Sequence, residues 1–219
     1  MDTERARFNM IEQQIRPWNV LDPAVLELLS VVKREDFVPA AYRDLAFADL
    51  EIPLGAKPGQ TMLAPKIEAR ILQELSLRNV DTVLEVGTGS GYMAALLAAK
   101  AEYIYSVEID PTLAETARGN LGQTGIANVS VETGDAAQGW ACSAPYDAIV
   151  LSGSTPILPE ALLRQLKIGG RLVAIVGEAP AMQVQLVTRT DEDAFNTSIV
   201  FETVVAPLIN AEQRKKFVF

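Results

Sequence analysis

Apolar side chains recur at helical spacing in three stretches near the start of the chain, residues 5–16, 23–32 and 66–77. This spacing predicts amphipathic helices. Between the second and third stretch, residues 34–65 are rich in Pro, Gly and Asp, and they predict a long irregular segment. Such segments inside compact domains are usually functional or mobile. Residues 1–78 are therefore predicted to form a helical extension that carries a functional loop.

Short apolar runs alternate with helical patterns after residue 80, which is typical of right-handed βαβ units around a parallel sheet. The last two runs, residues 182–189 and 198–206, are joined by a polar turn without a helix and predict an antiparallel hairpin at the sheet edge. The chain is thus predicted to be one α/β domain, residues 1–219, with a doubly wound, mostly parallel seven-stranded sheet in residues 79–219. The other predicted elements are strands 82–86, 103–108, 129–133, 146–151 and 171–176 and helices 91–99, 111–124 and 159–166.

Composition removes several classes of chemistry. The chain has no histidine, which excludes imidazole acid–base catalysis, Ser-His-Asp and Cys-His nucleophiles and histidine-ligated metals, and no metal site is predicted. Its single cysteine, Cys142, cannot form an internal disulfide and is expected to be buried. No apolar run approaches the roughly 18 residues of a membrane span and no leader pattern is present, so a cytoplasmic protein is expected. The net charge of −9 disfavours nucleic acid and membranes as partners, and no oligomeric state is predicted.

The strongest motif is VLEVGTGSGY, in which a buried strand leads into alternating glycines and then a helix. Gly87, Gly89 and Gly91 let the backbone pass close to a ligand beside a helix N-terminus, as in a cofactor cradle. A structural turn or a nicotinamide site is the alternative. The third glycine comes one residue earlier than in the dinucleotide fingerprint. Glu85 suits an ammonium group, such as that of S-adenosylmethionine, unless it only orders the glycine loop.

Acidic residues follow the next two strands. Glu108 is placed to accept from ribose hydroxyls, with a solvated strand-end charge as the alternative, while Asp110 is expected to cap the following helix. Asp135 is placed to accept from an adenine amino group while the Ala136 N–H donates to the ring, unless Asp135 is an ordinary turn residue. The predicted cofactor-binding residues are Glu85, Gly87, Thr88, Gly89, Gly91, Glu108, Ile109, Asp135, Ala136 and Leu151.

Over nearly its whole length the sequence resembles the protein-L-isoaspartate O-methyltransferase family. The matching stretches are MIEQQIRP, REDFVPAAYRDLAFADLEIPLG, GQT with Pro65, VLEVGTGSGY, VETGDAAQGW, APYDAIV, LLRQLKIGGRLVAIVG and VVAPL. The resemblance implies a Rossmann-like methyltransferase fold and S-adenosylmethionine as cofactor, with S-adenosylhomocysteine as product. It implies a protein or peptide substrate whose isoaspartyl carboxylate is methylated. It also implies ribose binding by Glu108 and adenine binding by Asp135 with Ala136.

The loop GQTMLAPKIEA departs from the family pattern, which has a serine where this chain has Leu63 and an aromatic residue or histidine where it has Lys66. Thr61, Leu63 and Lys66 are the predicted catalytic residues in this loop. Leucine cannot make the hydrogen bond expected of the serine. Lys66 is compatible with two roles, a cation for an anionic substrate or a solvated lysine in the first helical turn.

Three functions remain open from the sequence. The first is methylation of isoaspartyl carboxylates, which are ionised at pH 7 and attack without a base, so the missing histidine is no obstacle. The second is methylation of another acceptor on the same fold. The third is binding of S-adenosylmethionine without turnover.

Overall fold

The computed structural model describes residues 2–214. The first and the last five residues of the predicted domain lie outside this range. The N-terminal part packs as short helices against the sheet, and its core includes Met10, Ile15, Leu29, Ile71 and Leu75. Its elements are α1 (Thr3–Asn9), a π-helical turn (Met10–Ile15), a 3₁₀ turn (Arg16–Trp18), α2 (Pro23–Val31), 3₁₀ turns at Arg34–Asp36 and Ala40–Leu45, strands β1 (Ile52–Pro53) and β2 (Thr61–Met62), and α3 (Pro65–Leu75).

The rest of the chain alternates strands with helices and then ends in two successive strands. Its elements are β3 (Thr82–Val86), α4 (Tyr92–Ala98), β4 (Tyr103–Glu108), α5 (Pro111–Gln123), β5 (Val129–Thr133), β6 (Tyr146–Thr155), α6 (Glu160–Arg164), β7 (Leu166–Glu178), β8 (Ala181–Arg189) and β9 (Phe195–Thr203), with a 3₁₀ turn at Ala141–Ser143. The seven-stranded sheet has the order β5-β4-β3-β6-β7-β8-β9. Pairing is parallel from β5 to β7 and antiparallel from β7 to β9. The predicted fold class is confirmed.

Three strands differ from their predicted bounds by several residues. β6 extends past residue 151 to Thr155, and β7 begins at Leu166 rather than at residue 171. The last strand was expected at residues 198–206 and lies at Phe195–Thr203. Its first half pairs with β8 through polar residues such as Asn196 and Ser198. Because β9 is the edge strand and much of it is exposed, apolar content does not mark where it begins. Residues 206–209 therefore leave the sheet edge, and they reach the carboxyl end of β6 instead.

Aspartate side chains cap α2 and α5, and the cap at Asp110 is one that the sequence predicts. The Asp22 carboxylate accepts from the Ala24 N–H at 2.8 Å, and the Asp110 carboxylate accepts from the Thr112 N–H at 2.9 Å. The second cap fixes the turn between β4 and α5, directly beside the glycine loop. Within residues 2–214, no helix is long and apolar enough to cross a bilayer.

Candidate cofactor and substrate site

The main cavity opens at the carboxyl ends of β3, β4 and β6, and its open volume is about 740 Å³. In a doubly wound sheet this is the edge where ligands bind, because the glycine turn and the helix N-termini converge there. The structure brings eight of the predicted site residues to this cavity, from four separate segments of the chain. They are Thr61, Leu63, Gly87, Gly89, Glu108, Ile109, Asp135 and Ala136.

The glycine loop approaches two other parts of the chain too closely for side chains. Gly87 has φ +92°, and a Cβ there would lie 3.3 Å from the Leu208 side chain. Gly89 has φ +54°, and a Cβ there would lie 3.0 Å from the Leu54 side chain. The glycine loop therefore presents bare backbone to the cavity. Residues 54–60, the early loop, and residues 205–210, the C-terminal segment, lie against the glycine loop.

Glu108 lies at the end of β4 and is fixed by two backbone groups. Its Oε2 accepts from the Gly89 N–H at 2.9 Å, and its Oε1 accepts from the Asp110 N–H at 3.0 Å. A carboxylate oxygen has further lone pairs after one hydrogen bond, so Glu108 can still accept from a ligand. The side chain is thus held against the glycine loop and lines the cavity.

Asp135 lies after β5, at the far end of the same cavity. Its Oδ1 accepts from the Ala137 N–H at 3.0 Å, and its Oδ2 accepts from the Asn210 side-chain amide at 2.7 Å. Ala136 beside it is buried. The carboxylate is therefore shared between its own turn and the C-terminal segment, and both predicted adenine contacts face one space.

Glu85 faces a second, smaller cavity with an open volume of about 270 Å³. It is fully buried, and its two oxygens accept from the Ser106 hydroxyl at 2.6 Å and the Ser152 hydroxyl at 3.2 Å. Thr88 shares a hydrogen bond of 2.6 Å with Ser106 and lines the same cavity. Burial raises the pKa of Glu85 to about 8, against the lowering effect of the two serine hydroxyls. Its partners are serine hydroxyls rather than loop N–H groups.

A buried ion pair adjoins this second cavity. Arg34 and Glu68 are 1% and 3% exposed at their side chains and form a short contact through Nη1 and Oε2. Arg34 also donates from Nη2 to the Leu63 carbonyl at 2.9 Å and from Nε to the Ala46 carbonyl at 3.1 Å. Burial raises the pKa of Glu68 to about 7, and the charge of Arg34 opposes that rise. The pair therefore anchors the backbone of the predicted substrate loop.

Of the three predicted catalytic residues, Thr61 and Leu63 line both cavities. The Thr61 hydroxyl donates to Glu51 at 3.1 Å. Lys66 lies outside both cavities, with its Nζ 2.7 Å from the Asp49 carboxylate and 4.0 Å from the centre of the Trp18 ring. Its ammonium is therefore engaged away from the space where a substrate carboxylate would lie, and the geometry does not support a cationic role for Lys66 toward the substrate.

Two predicted cofactor residues also lie outside the cavities. Gly91 precedes α4 with φ +86°, and a Cβ there would lie 3.4 Å from Ala117 of α5, so Gly91 serves the turn into α4 and its packing on α5. Leu151 is fully buried in the core beside Val86. The expectation that Cys142 is buried is wrong, because it is exposed on the surface turn Ala141–Ser143.

Several residues of the main cavity were not among the predicted site residues. Gln60 belongs to the predicted loop GQTMLAPKIEA but was given no role of its own, and Ser152 lies inside β6, where a polar residue carries no distinctive signal. The C-terminal segment reaches the cavity only through the tertiary fold. The residues of the main cavity that were not predicted for the site are Leu54, Gly59, Gln60, Val86, Val107, Leu113, Gly134, Ala137, Ser152, Gly153, Ala206, Pro207, Leu208 and Ile209.

The sheet order, the glycine loop after β3 and the acidic strand-end residues at one cavity define a Rossmann-like α/β fold, and the match to a family model identifies it as an S-adenosylmethionine-dependent methyltransferase. A model of the protein-L-isoaspartate(D-aspartate) O-methyltransferase family matches residues 5–213. The chain belongs to this family, which confirms the resemblance found in the sequence.

Relatives named protein-L-isoaspartate O-methyltransferase align with this chain over most of their length. A protein-L-isoaspartate O-methyltransferase of Rhodopseudomonas palustris is 42% identical over 93% of this chain and 93% of its own. One from Methanoculleus marisnigri is 44% identical over 84% of each chain. A solved protein-L-isoaspartate O-methyltransferase superimposes with a TM-score of 0.79 at 24% identity, covering 93% of this chain and 66% of that one. A Plasmodium falciparum structure described as a candidate enzyme of this type, in complex with S-adenosyl-L-homocysteine, superimposes with a TM-score of 0.77 at 19% identity. The superposition covers 95% of this chain and 99% of that one. These two structures support the fold alone.

Proposed function

We propose that this protein transfers the methyl group of S-adenosylmethionine to the isoaspartyl carboxylate of a protein or peptide, forming a methyl ester. The observation that carries the proposal is the convergence of the glycine loop, Glu108, Asp135 and the loop at Thr61 and Leu63 on one cavity. The names of the relatives, which are similar over most of this chain, support the acceptor. Family membership disfavours the other two functions.

The cavity fits the cofactor on the chemistry of its lining. Bare backbone at Gly87 and Gly89 leaves room for a ligand at the carboxyl end of β3. We assign the ribose hydroxyls to Glu108, whose position is set by the Gly89 N–H, and the adenine to Asp135 and Ala136. Bound there, the cofactor supplies an electrophilic methyl group on a positively charged sulfur, so the protein mainly has to align the acceptor with it.

The acceptor needs no base in this site. A carboxylate is ionised at pH 7, and its oxygen is the nucleophile. Within residues 2–214, the residues that line the main cavity include no lysine or arginine, and its charged members are Glu108 and Asp135. The positive charge that an anionic acceptor meets there therefore comes from the cofactor. Leu63 is buried and adds an apolar wall, which excludes water from the reacting carboxylate.

Methyl transfer from labelled S-adenosylmethionine to an isoaspartyl peptide and to its normal aspartyl twin tests this function. We expect transfer to the isoaspartyl peptide and little to the twin, with S-adenosylhomocysteine as a competitive inhibitor. The Leu63→Ser variant, measured in parallel, should retain acceptor selectivity and should change its rate by no more than about tenfold, the effect of one hydrogen bond. Binding of S-adenosylhomocysteine without transfer to either peptide would overturn the acceptor assignment.

We also propose that the protein acts in the cytoplasm, which a chain with a single cysteine in 219 residues supports. Its proposed partner is a damaged protein or peptide rather than nucleic acid. The net charge of −9 supports this choice, because it repels a phosphate backbone.

A further inference from the structure

The second cavity has an acidic wall that the assignment of adenine and ribose does not use. It shares Leu54, Thr61, Leu63, Gly87, Gly89 and Ser152 with the main cavity, so one ligand can extend from one into the other. Its remaining polar lining includes Glu68, Glu85 and Tyr92. We propose that the Glu68 carboxylate and the Tyr92 hydroxyl bind the α-ammonium group of the cofactor in this second cavity. The proposal rests on the function proposed above.

The hydrogen bonds already present favour Glu68 over Glu85 as the direct partner. Both oxygens of Glu85 already accept from serine hydroxyls, so a ligand donor there would be the second on either oxygen. Glu68 contacts Arg34 through one oxygen, and its other oxygen has no hydrogen bond within residues 2–214. An ammonium group carries three N–H donors and needs several acceptors. Glu68 therefore offers an oxygen that is available as an acceptor, and the neighbouring Arg34 favours the charged form of this carboxyl group.

Tyr92 supplies a second and independent observation. It is 1% exposed, and its hydroxyl is buried without a hydrogen-bond partner in the described part of the chain. Burying a hydroxyl without a partner is unfavourable, and such groups in native structures usually serve a ligand. A ligand ammonium in the cavity that Tyr92 lines would give this oxygen a donor.

Arg34 fixes the Glu68 carboxyl without closing the cavity. It contacts one oxygen of Glu68, donates to the carbonyls of Leu63 and Ala46, and lies 5.4 Å from the centre of the Tyr92 ring. The arginine therefore contacts both side chains that would bind the ammonium group, Glu68 and Tyr92. With Glu85 on the same cavity, two carboxyl groups surround the space and one guanidinium partly offsets them. A cation there favours the ionised form of both carboxyl groups, against the burial that raises their pKa values.

Two ligands separate this role from a purely structural one. S-adenosylhomocysteine carries the amino acid portion, whereas 5′-methylthioadenosine has the same nucleoside without it. Calorimetric titration of wild type should give dissociation constants for both. Glu68→Gln should raise the dissociation constant of S-adenosylhomocysteine by about tenfold or more, the effect of a charged hydrogen bond. It should change the dissociation constant of 5′-methylthioadenosine by less than about twofold.

Tyr92→Phe provides a second variant that keeps the Arg34 ion pair and removes only the buried hydroxyl. It should also weaken S-adenosylhomocysteine selectively, by about threefold to tenfold. This variant decides the proposal if Glu68→Gln does not fold. Glu35→Gln is the matched control, because Glu35 also pairs with a buried arginine, Arg7, but lines neither cavity. It should bind both ligands as wild type does.

Equal weakening of both ligands, or no weakening of either, would overturn the proposal and leave the proposed function intact. Failure of wild type to bind S-adenosylhomocysteine would instead overturn the proposed function itself.

Discussion

The carboxyl group of Glu85 has different pKa values in the folded and unfolded protein, and this difference makes the free energy of unfolding depend on pH. Burial raises its pKa from the ordinary value of 4.5 to about 8 in the folded protein. Between these two values the folded protein binds more protons than the unfolded chain does. The free energy of unfolding without cofactor should therefore fall as pH rises from about 4.5 to about 8. Glu68, whose pKa is raised to about 7, contributes with the same sign.

The Glu85→Gln substitution should flatten this dependence. One proton of difference corresponds to at most about 1.4 kcal/mol per pH unit, so the slope should become less negative by up to that amount. Urea denaturation at several pH values between 5 and 8 measures it. A Glu85→Gln slope equal to that of wild type would mean that Glu85 is not protonated in the folded state over this range.

Some side chains could be placed at the site from the sequence, as Glu108 was, while the positions of Lys66 and Glu68 depend on the tertiary fold. Glu108 was found because a strand end in an α/β sheet fixes where its last side chain lies. Lys66 and Glu68 are two residues apart in one helix, and therefore point to different faces. Only the tertiary fold shows that Glu68 faces the cavity, because its partner Arg34 lies in the irregular segment. Lys66 is turned toward Asp49 and Trp18, which also belong to distant parts of the sequence.

The early loop, residues 54–60, is the element that closes one side of the main cavity. Leu54 donates through its N–H to the Gln60 carbonyl at 2.8 Å. Gln60 donates from its side chain to Asp110 at 2.9 Å, and Lys57 donates to the same carboxylate at 2.7 Å. These donors hold the pKa of Asp110 well below its usual value, with Lys57 as the largest cause. The loop is thus tethered to the turn that follows Glu108.

Removing both donors should speed release of the cofactor. In a Lys57→Ala, Gln60→Ala double variant, the dissociation rate of S-adenosylhomocysteine should rise several-fold while the association rate changes little. The effect is modest because Lys57 is largely exposed. Stopped-flow fluorescence or surface plasmon resonance measures both rates. Lys167→Ala is the control, because its ion pair with Asp147 has the same 2.7 Å length at the opposite end of β6. An unchanged dissociation rate in the double variant would show that the tether does not retain the ligand.

Among the secondary-structure elements, the parallel strands were predicted from the sequence because each buried strand is a separate apolar run flanked by a helix. The composition of residues 34–65 predicted a functional or mobile segment, but it did not predict that the loop at residues 54–60 is anchored at Asp110. Asp110 had been identified only as a helix cap, and it serves both the cap and the tether. A side chain with two roles shows only the local one in its sequence context.

The C-terminal segment joins distant parts of the molecule at one site. Its residues pair with β6 where the Ala206 carbonyl accepts from the Ser154 N–H and the Leu208 N–H donates to the Ser154 carbonyl, both at 2.9 Å. Leu208 then lies against Gly87, and Asn210 donates to Asp135. No local pattern predicts this placement, because it depends on where β9 ends at the sheet edge. The glycine loop is therefore enclosed by two segments that are about 150 residues apart in the sequence.

Cofactor binding should consequently protect several distant segments together. Hydrogen exchange with and without S-adenosylhomocysteine should show slower exchange in residues 54–61, 87–91 and 205–210. At a ligand concentration of about 100 times Kd, the slowing should approach roughly a hundredfold where opening requires ligand release. The turn between β8 and β9, residues 190–194, lines neither cavity and should exchange equally in both states. Protection confined to residues 87–91 would mean that the early loop and the C-terminal segment do not enclose the ligand. Concerted protection of all three segments would show that they form one binding unit, which is what their mutual contacts require.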